Sequence, residues 1–280
     1  MTVNEIYQSG LKLLENNNIE NSKFEAQSLL QKAFSLDRVG FIIHKTDKAD
    51  ENCSHNFLNF IEKRISGEPL QYILGEWSFM GFDFKVGRGV LIPRDDTEVV
   101  VNLCIDFLKN RADKKTVDLC SGSGAIAVAL DKISGAEVTA VEIDETAFSY
   151  LETNVKENNS SVKPVMADAL KICDTFADGG LDLIVSNPPY IKSADIETLQ
   201  KEVQLEPRLA LDGGEDGCDF YREIVSRWGR KLKKGGALAF ELGEGQADTV
   251  KALMTEQGFS DFKISLDFGG VQRAIIGTLL

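Results

Sequence analysis

Apolar positions recur at helical spacing through the first quarter of the chain. Ile6, Leu11, Leu13 and Leu14 form one stripe, and Phe24, Ala26, Leu29, Leu30 and Ala33 a second. Phe57, Leu58, Phe60, Ile61 and Ile65 form a third. Asn, Asp and Lys separate the stripes, and Gly67-Glu68-Pro69 closes the last, because proline cannot continue a helix. A small helical domain over residues 1–70 is expected. From Tyr72 the spacing shortens. Tyr72, Ile73, Leu74, Trp77 and Phe79, then Phe82, Phe84 and Val86, read as strand, with Met80-Gly81 as a hairpin turn. Residues 71–90 are therefore expected to form a β-hairpin linker.

Beyond residue 90 the pattern alternates. Val99, Val100, Leu103 and Cys104 predict a helix that starts at Asp95-Asp96-Thr97, with Asp or Thr as its cap and Glu98 in its first turn. Residues 115–119, 138–142, 162–167, 181–186 and 237–242 are short apolar runs read as buried strands, most of them followed by helical periodicity. That alternation predicts a doubly wound α/β sheet, Rossmann-like and mainly parallel, over residues 91–280. Residues 262–268 and 273–280 are strand runs joined by Gly269-Gly270. They are too close for a helical crossover, so one of them must be antiparallel.

Composition narrows the function classes. The 280 residues are 43% hydrophobic and 27% charged, with no apolar run of membrane-spanning length and no basic-then-apolar leader at Met1-Thr2-Val3-Asn4-Glu5. A cytoplasmic protein is expected. Cys53, Cys104, Cys120, Cys173 and Cys218 are scattered, odd in number and without C-x-x-C spacing, which predicts reduced thiols and no metal site. The two histidines, His44 and His55, both lie in the first quarter, so a Ser-His-Asp or Cys-His mechanism is not expected in the later part. A net charge of −13 argues against direct binding of nucleic acid, whose affinity for proteins comes from Lys and Arg.

The first strand of the α/β region runs into Asp118-Leu119-Cys120-Ser121-Gly122-Ser123-Gly124. Gly122 and Gly124 permit a tight turn and a close backbone approach to a ligand at a helix N-terminus. Glu142 ends the next strand, where a carboxylate can take both hydroxyls of a ribose. A nicotinamide cofactor and S-adenosylmethionine fit these two features equally well. Asp118 favours adenosylmethionine, since a carboxylate there can hold its ammonium group directly or through the loop.

A later strand ends in Asn187-Pro188-Pro189-Tyr190. Pro188 pushes Asn187 out of helical geometry, so Asn187 should stand extended at a strand's carboxyl end, where open α/β sheets bind ligands. A rigid Pro-Pro turn would account for the backbone alone. The chemistry goes further. The Asn187 side-chain carbonyl and the Pro188 backbone carbonyl can accept both hydrogens of one planar –NH2, of an amide or an aminopurine. Such acceptors would stabilise positive charge that develops on that nitrogen during attack, and Tyr190 offers an aromatic face to the planar group.

With these residues in view, the chain resembles the release factor glutamine N5-methyltransferases of the PrmC or HemK family. The matching blocks are Glu68-Pro69-Leu70-Gln71-Tyr72-Ile73-Leu74-Gly75, Val90-Leu91-Ile92-Pro93-Arg94 with Thr97-Glu98, the glycine loop, Ser186 to Ile191, and Glu206-Pro207-Arg208-Leu209-Ala210-Leu211 running on to Phe220-Tyr221. Together they cover most of the chain. It departs from the family at Cys120, usually glycine, and at Asp95-Asp96, usually Pro-Glu.

The resemblance implies an amino-terminal domain that recognises class I peptide-chain release factors, and a catalytic domain that turns S-adenosylmethionine into S-adenosylhomocysteine. It implies that Asp118, Cys120, Ser121, Gly122, Ser123, Gly124, Glu142, Asp168, Ala169, Arg94, Thr97 and Asn187 contact that cofactor. Asn187, Pro188, Pro189 and Tyr190 would hold the glutamine of a Gly-Gly-Gln loop, with Asn187, Pro188 and Tyr190 carrying the catalysis. The Gly213–Gly217 stretch is expected only to lead into the helix of Phe220 and Tyr221. An adenine-N6 methyltransferase, a methyltransferase for a ribosomal-protein glutamine and a non-catalytic binding protein are the competing readings.

Overall fold

The computed structural model describes all of residues 1–280. Its contacts divide the chain into two compact units, Met1–Glu76 with Gln200–Leu205, and Trp77–Leu199 with Glu206–Leu280. The division thus falls at Glu76/Trp77, which puts all but the first residue of the hairpin in the second unit and a short downstream segment in the first.

The first unit holds α1 (Val3–Asn16), α2 (Ser22–Phe34), α3 (Arg38–His44), α4 (Glu51–Ile65) and α5 (Leu70–Leu74). Thr2 and Glu5 form a reciprocal capping box that satisfies the first free N–H groups of α1. Ile6 and Leu14 of α1, Ala26, Leu29 and Leu30 of α2, and Phe57 and Ile61 of α4 make its core. Gly10 of α1 packs against Phe57 of α4: a Cβ there would lie 2.4 Å from the Phe57 ring. Leu13 and Phe24, expected on the apolar stripes, are exposed, as are Val39, Ile42 and Ile43 of α3. His44 pairs with Asp47 at the surface. Arg64 is buried against Glu25 at 2.6 Å, and also takes Glu202 at 2.9 Å from the downstream segment.

The expected strand at Tyr72–Leu74 is instead α5. Pro69 presets the backbone at its start, and Gly75, at φ 75°, ends it in the left-handed conformation that glycine adopts freely.

The second unit begins with a two-stranded hairpin, β1 (Glu76–Phe79) and β2 (Phe82–Lys85). Met80 and Gly81 both have positive φ, the turn geometry that matches strand twist. Next come α6 (Thr97–Leu108), β3 (Lys115–Leu119), α7 (Ala125–Ser134), β4 (Glu137–Glu142), α8 (Glu145–Glu157), β5 (Lys163–Met166), α9 (Ala169–Ile172) and β6 (Leu181–Ser186). After α10 (Lys201–Gln204), the part of the downstream segment that joins the first unit, come α11 (Asp219–Trp228), β7 (Leu232–Glu241), α12 (Ala247–Glu256), β8 (Phe259–Leu266) and β9 (Gln272–Leu279).

The seven-stranded sheet has the order β5-β4-β3-β6-β7-β9-β8, parallel except at β9, which runs antiparallel to both neighbours. Strand side chains alternate between two cores, as the period of two requires. Leu183 and Val185 of β6 pack with α6 and α7, while Ile184 packs with α11 and α12. Strand order reverses between β3 and β6, and the crevice beyond their carboxyl ends is where such sheets bind ligands. No helix is long and apolar enough to cross a membrane.

Candidate active site

A cavity of about 250 Å³ opens beyond the ends of β3, β4 and β6. The loop after β3 forms part of its wall. Ser121 N–H bonds the Val141 carbonyl at 3.0 Å, and the Ser121 hydroxyl bonds the Asp118 carbonyl at 2.9 Å, so the turn is held on both sides. Gly122 has φ 53° and open space where a Cβ would project, leaving bare backbone toward a ligand. Gly124 serves packing: a Cβ there would meet Leu151 at 2.4 Å. Buried Asn154 fixes the loop from behind, donating to the Ser123 carbonyl at 2.9 Å while its amide group also exchanges bonds with Lys85.

Cys120 adopts φ 59°, a conformation that glycine takes without cost and that costs other residues roughly 1–2 kcal/mol. Its thiol is pushed up to about 12 by burial and by the Glu142 charge, so it stays protonated. Behind the loop, Asp118 is fully buried and neither carboxylate oxygen has a partner. Burial, with a smaller push from the Glu142 charge, raises it to about 8 against the pull of the nearby Ser121 hydroxyl.

Glu142 lines the cavity, but its carboxylate is already occupied. Oε1 accepts the Ile143 and Asp144 N–H groups, and Oε2 accepts the Gly122 N–H, all at 2.8 Å. With two lone pairs per oxygen, one acceptor position remains on Oε2, so the expected grip on two ribose hydroxyls is not available in this arrangement. Asp168 also lines the cavity while capping α9 through the Leu170 N–H and pairing with Lys171.

Of the residues expected at the site, Thr97, Cys120, Ser121, Gly122, Ser123, Glu142, Asp168, Ala169, Asn187 and Pro189 line the cavity. Arg94, Asp118, Gly124, Pro188 and Tyr190 do not, and each has a different position. Arg94 pairs with Glu206. Pro188 is buried next to Asn187. The Tyr190 hydroxyl donates to Glu241 Oε1 at 3.2 Å, and its ring borders Gly243. The Asn187 Nδ2 group donates to the Thr97 hydroxyl at 3.4 Å. No protein hydrogen bond ends on Asn187 Oδ1 or on the Pro188 carbonyl, which leaves two acceptors free beside the cavity.

The start of α6 also differs from the sequence expectation. Asp96 occupies the cap position but makes no capping bond, and it faces Arg273 at 3.4 Å. Glu98 accepts the Met80 N–H at 3.2 Å. Gly213–Gly217, expected to be a connector, buttresses the Asn-Pro-Pro-Tyr turn. A Cβ at Gly213 would meet the Tyr190 Cα at 2.7 Å, and one at Gly217 would meet the Tyr190 carbonyl at 2.4 Å. Gln246 donates to that carbonyl at 3.0 Å. Periodicity assigned no role to Glu206, Glu241, Asn154 or Gln246. For Glu241 a signal existed: it is the one charged residue in the apolar run 237–242 and lies at the ligand end of its strand.

Residues 5–75 match the family described as PrmC N-terminal domain, and residues 94–215 match the Methyltransferase small domain. A methyltransferase structure from Pyrococcus furiosus shares the fold, with a TM-score of 0.53 at 22% identity over 72% of this chain and 90% of that one. A release factor glutamine methyltransferase of Geobacter sulfurreducens is 40% identical over 93% of this chain and 91% of its own length. One from Clostridium acetobutylicum is 33% identical over 99% of this chain and 98% of its own. The chain belongs to the release factor glutamine methyltransferase family.

Proposed function

We propose that this protein methylates the side-chain amide nitrogen of the glutamine in the Gly-Gly-Gln loop of class I release factors, in the cytoplasm, using S-adenosylmethionine. The observation that carries the reading is the pair of unengaged acceptors, Asn187 Oδ1 and the Pro188 carbonyl, beside a cavity walled by the glycine loop.

The residues present fit the cofactor. The bare Gly122 backbone allows close approach, and one acceptor position on Glu142 remains for a ribose hydroxyl. Asp118, buried behind the loop, is protonated at neutral pH and holds the turn through the Ser121 hydroxyl on its backbone carbonyl, so it offers the ammonium group no charge. Ala169, Leu170 and Phe220 add apolar wall. When bound, adenosylmethionine supplies an electrophilic methyl on a sulfonium.

The chain's own part is positioning. Asn187 and Pro188 accept the two hydrogens of the amide, aim its nitrogen and stabilise the charge that builds there. The nitrogen then sheds its extra proton readily, so no strong base is needed. We assign partner recognition to the helical unit, whose exposed Val39, Ile42 and Ile43 offer an apolar surface on a chain of net charge −13.

Incubation with adenosylmethionine and a release factor, followed by peptide mass spectrometry, should place a single methyl on the glutamine amide. A ribosomal-protein mixture and adenine-containing DNA serve as competitors. Preferential methylation of either one would overturn the substrate assignment.

A further inference from the structure

Glu241 ends β7 with its side chain buried and Oε2 without a partner. Its Oε1 accepts the Tyr190 hydroxyl at 3.2 Å, and the Thr97 hydroxyl lies against the same carboxylate and favours its charged form. Thr97 in turn accepts the Asn187 Nδ2–H at 3.4 Å. The proton count along this chain decides how Asn187 points. A carboxylate can only accept, so it draws the one Thr97 proton toward itself and leaves the Thr97 lone pairs for Asn187, in keeping with the Asn187 Nδ2–H that donates to Thr97. The Asn187 NH2 group must then face Thr97, and the carbonyl must face the cavity.

We propose that Glu241 is a positioning residue that, through Thr97 and Tyr190, fixes Asn187 with its carbonyl toward the amide substrate. The inference rests on the methyl-transfer reading of the site. With a donor in place of the carboxylate, Thr97 could turn its proton to Asn187 Oδ1 instead. Asn187 would then flip and present NH2 to the substrate's own NH2, two donors facing each other.

The groups that face Glu241 are Tyr190 from the turn, Thr97 and Asp96 from the start of α6, and Arg273 from β9. The Tyr221 hydroxyl of α11 bonds its backbone carbonyl at 2.8 Å. Arg273 is shared with Asp267 at 3.0 Å. Burial outweighs the bonds from Thr97 and Tyr190 and the Arg273 charge, and holds the carboxyl at about 7. Protonation there would create the same donor as an amide, so the orientation of Asn187 should depend on pH.

The test is Glu241→Gln, which keeps shape and the Tyr190 bond but can donate. Expected is a fall in kcat on the order of 10- to 100-fold, typical of losing a group that orients a reacting side chain. Cofactor affinity and the thermal midpoint should change little. The wild-type rate should rise with pH through about 7, and that limb should vanish in Glu241→Gln. The Asn187 side-chain amide NMR signals should shift over the same interval in the wild type and stay flat in the variant. Thr97→Ser should retain the limb, and Thr97→Val should lose it. Wild-type kcat in Glu241→Gln, or Asn187 signals that shift identically in both proteins, would overturn the proposal. Absence of glutamine methylation by the wild type would instead overturn the functional reading, and the NMR comparison would still decide the inference.

Discussion

Arg94 and Glu206 stand 112 residues apart in the chain and pair beside the cavity. The second Glu206 oxygen accepts the Ile92 N–H at 3.0 Å. The carboxylate is buried, which raises its pKa, and Arg94 is the main force that opposes the rise. Leu91–Arg94 and Glu206–Leu211, two separate sequence blocks, are thus one structural clamp. Leu91, Ile92, Pro93, Pro207, Leu209 and Ala210 line the cavity from it.

Glu206→Ala should therefore cost more than a surface ion pair. It strands the Ile92 N–H and removes the partner of Arg94, a loss of about 1–3 kcal/mol for a buried group left unsatisfied. Urea denaturation should show the midpoint falling, and calorimetry should show weaker adenosylmethionine binding. An unchanged midpoint would mean the clamp contributes nothing to folding.

Gly213→Ala tests the buttress under the Asn-Pro-Pro-Tyr turn. Its Cβ would fall 2.8 Å from the Pro189 carbonyl and 2.7 Å from the Tyr190 Cα, both backbone atoms that cannot rotate away. The turn must shift, so kcat should fall while cofactor affinity is largely kept. Displacements of about 1 Å cost roughly 100-fold where geometry supplies the rate. Full activity would show that the turn tolerates the shift.

The fold was legible because the apolar runs of the sheet are buried on both faces and bounded by turn residues, and because Gly269-Gly270 forbids a crossover between β8 and β9. Leu70–Leu74 misled because five apolar-rich residues fit strand and helix alike; Pro69 and Gly75, its end signals, decide it. At the site, residues adjacent in sequence to a loop were readable, as with Gly122, Glu142 and Asn187. The relationships that aim them were not. Thr97 looks like a helix cap, and only tertiary structure brings it to Asn187, 90 positions away. Asp118 and Tyr190 were assigned by type and location, but side-chain direction decides which groups reach a cavity, and a motif does not carry that information.

Helix packing in the first unit hinges on Gly10. Gly10→Ala would drive a methyl to 2.4 Å from the buried Phe57 ring, and either the ring or the helix crossing would have to shift. Helix propensity alone favours alanine by about 1 kcal/mol, whereas overpacking a fitted core costs about 1–3 kcal/mol. The net expectation is destabilisation, and Phe57→Leu added to Gly10→Ala should recover part of it. A denaturation midpoint raised by Gly10→Ala alone would show that the crossing is loose.

Asn187→Ala removes one of the two acceptors and leaves the glycine loop untouched. If its carbonyl acts on charge that develops during transfer, kcat should fall by about two to three orders of magnitude, by analogy with losing one oxyanion-hole donor. Adenosylmethionine affinity should change far less. Near-normal turnover on a release factor would reduce the turn to a structural role.

Asp118 makes stability depend on pH in a direction opposite to most carboxylates. Its folded pKa is raised by burial from 3.8 to about 8, so the native state holds a proton that the unfolded chain has already released. The stability linked to that proton is fully present below the unfolded value and is lost as pH rises through the folded one. Asp118→Asn removes the titration. Its amide will also lack partners, so the absolute change mixes two effects and the slope is the informative quantity. In urea unfolding of the cofactor-free protein, the wild type's advantage over Asp118→Asn should shrink from pH 5 to pH 8.5. Cofactor affinity near neutral pH should change little, because the protonated Asp118 carries no charge for the amide to remove. An advantage that grows with pH would mean that the carboxylate is ionised and partnered in the folded state, and the reading of a buried, protonated Asp118 would fail.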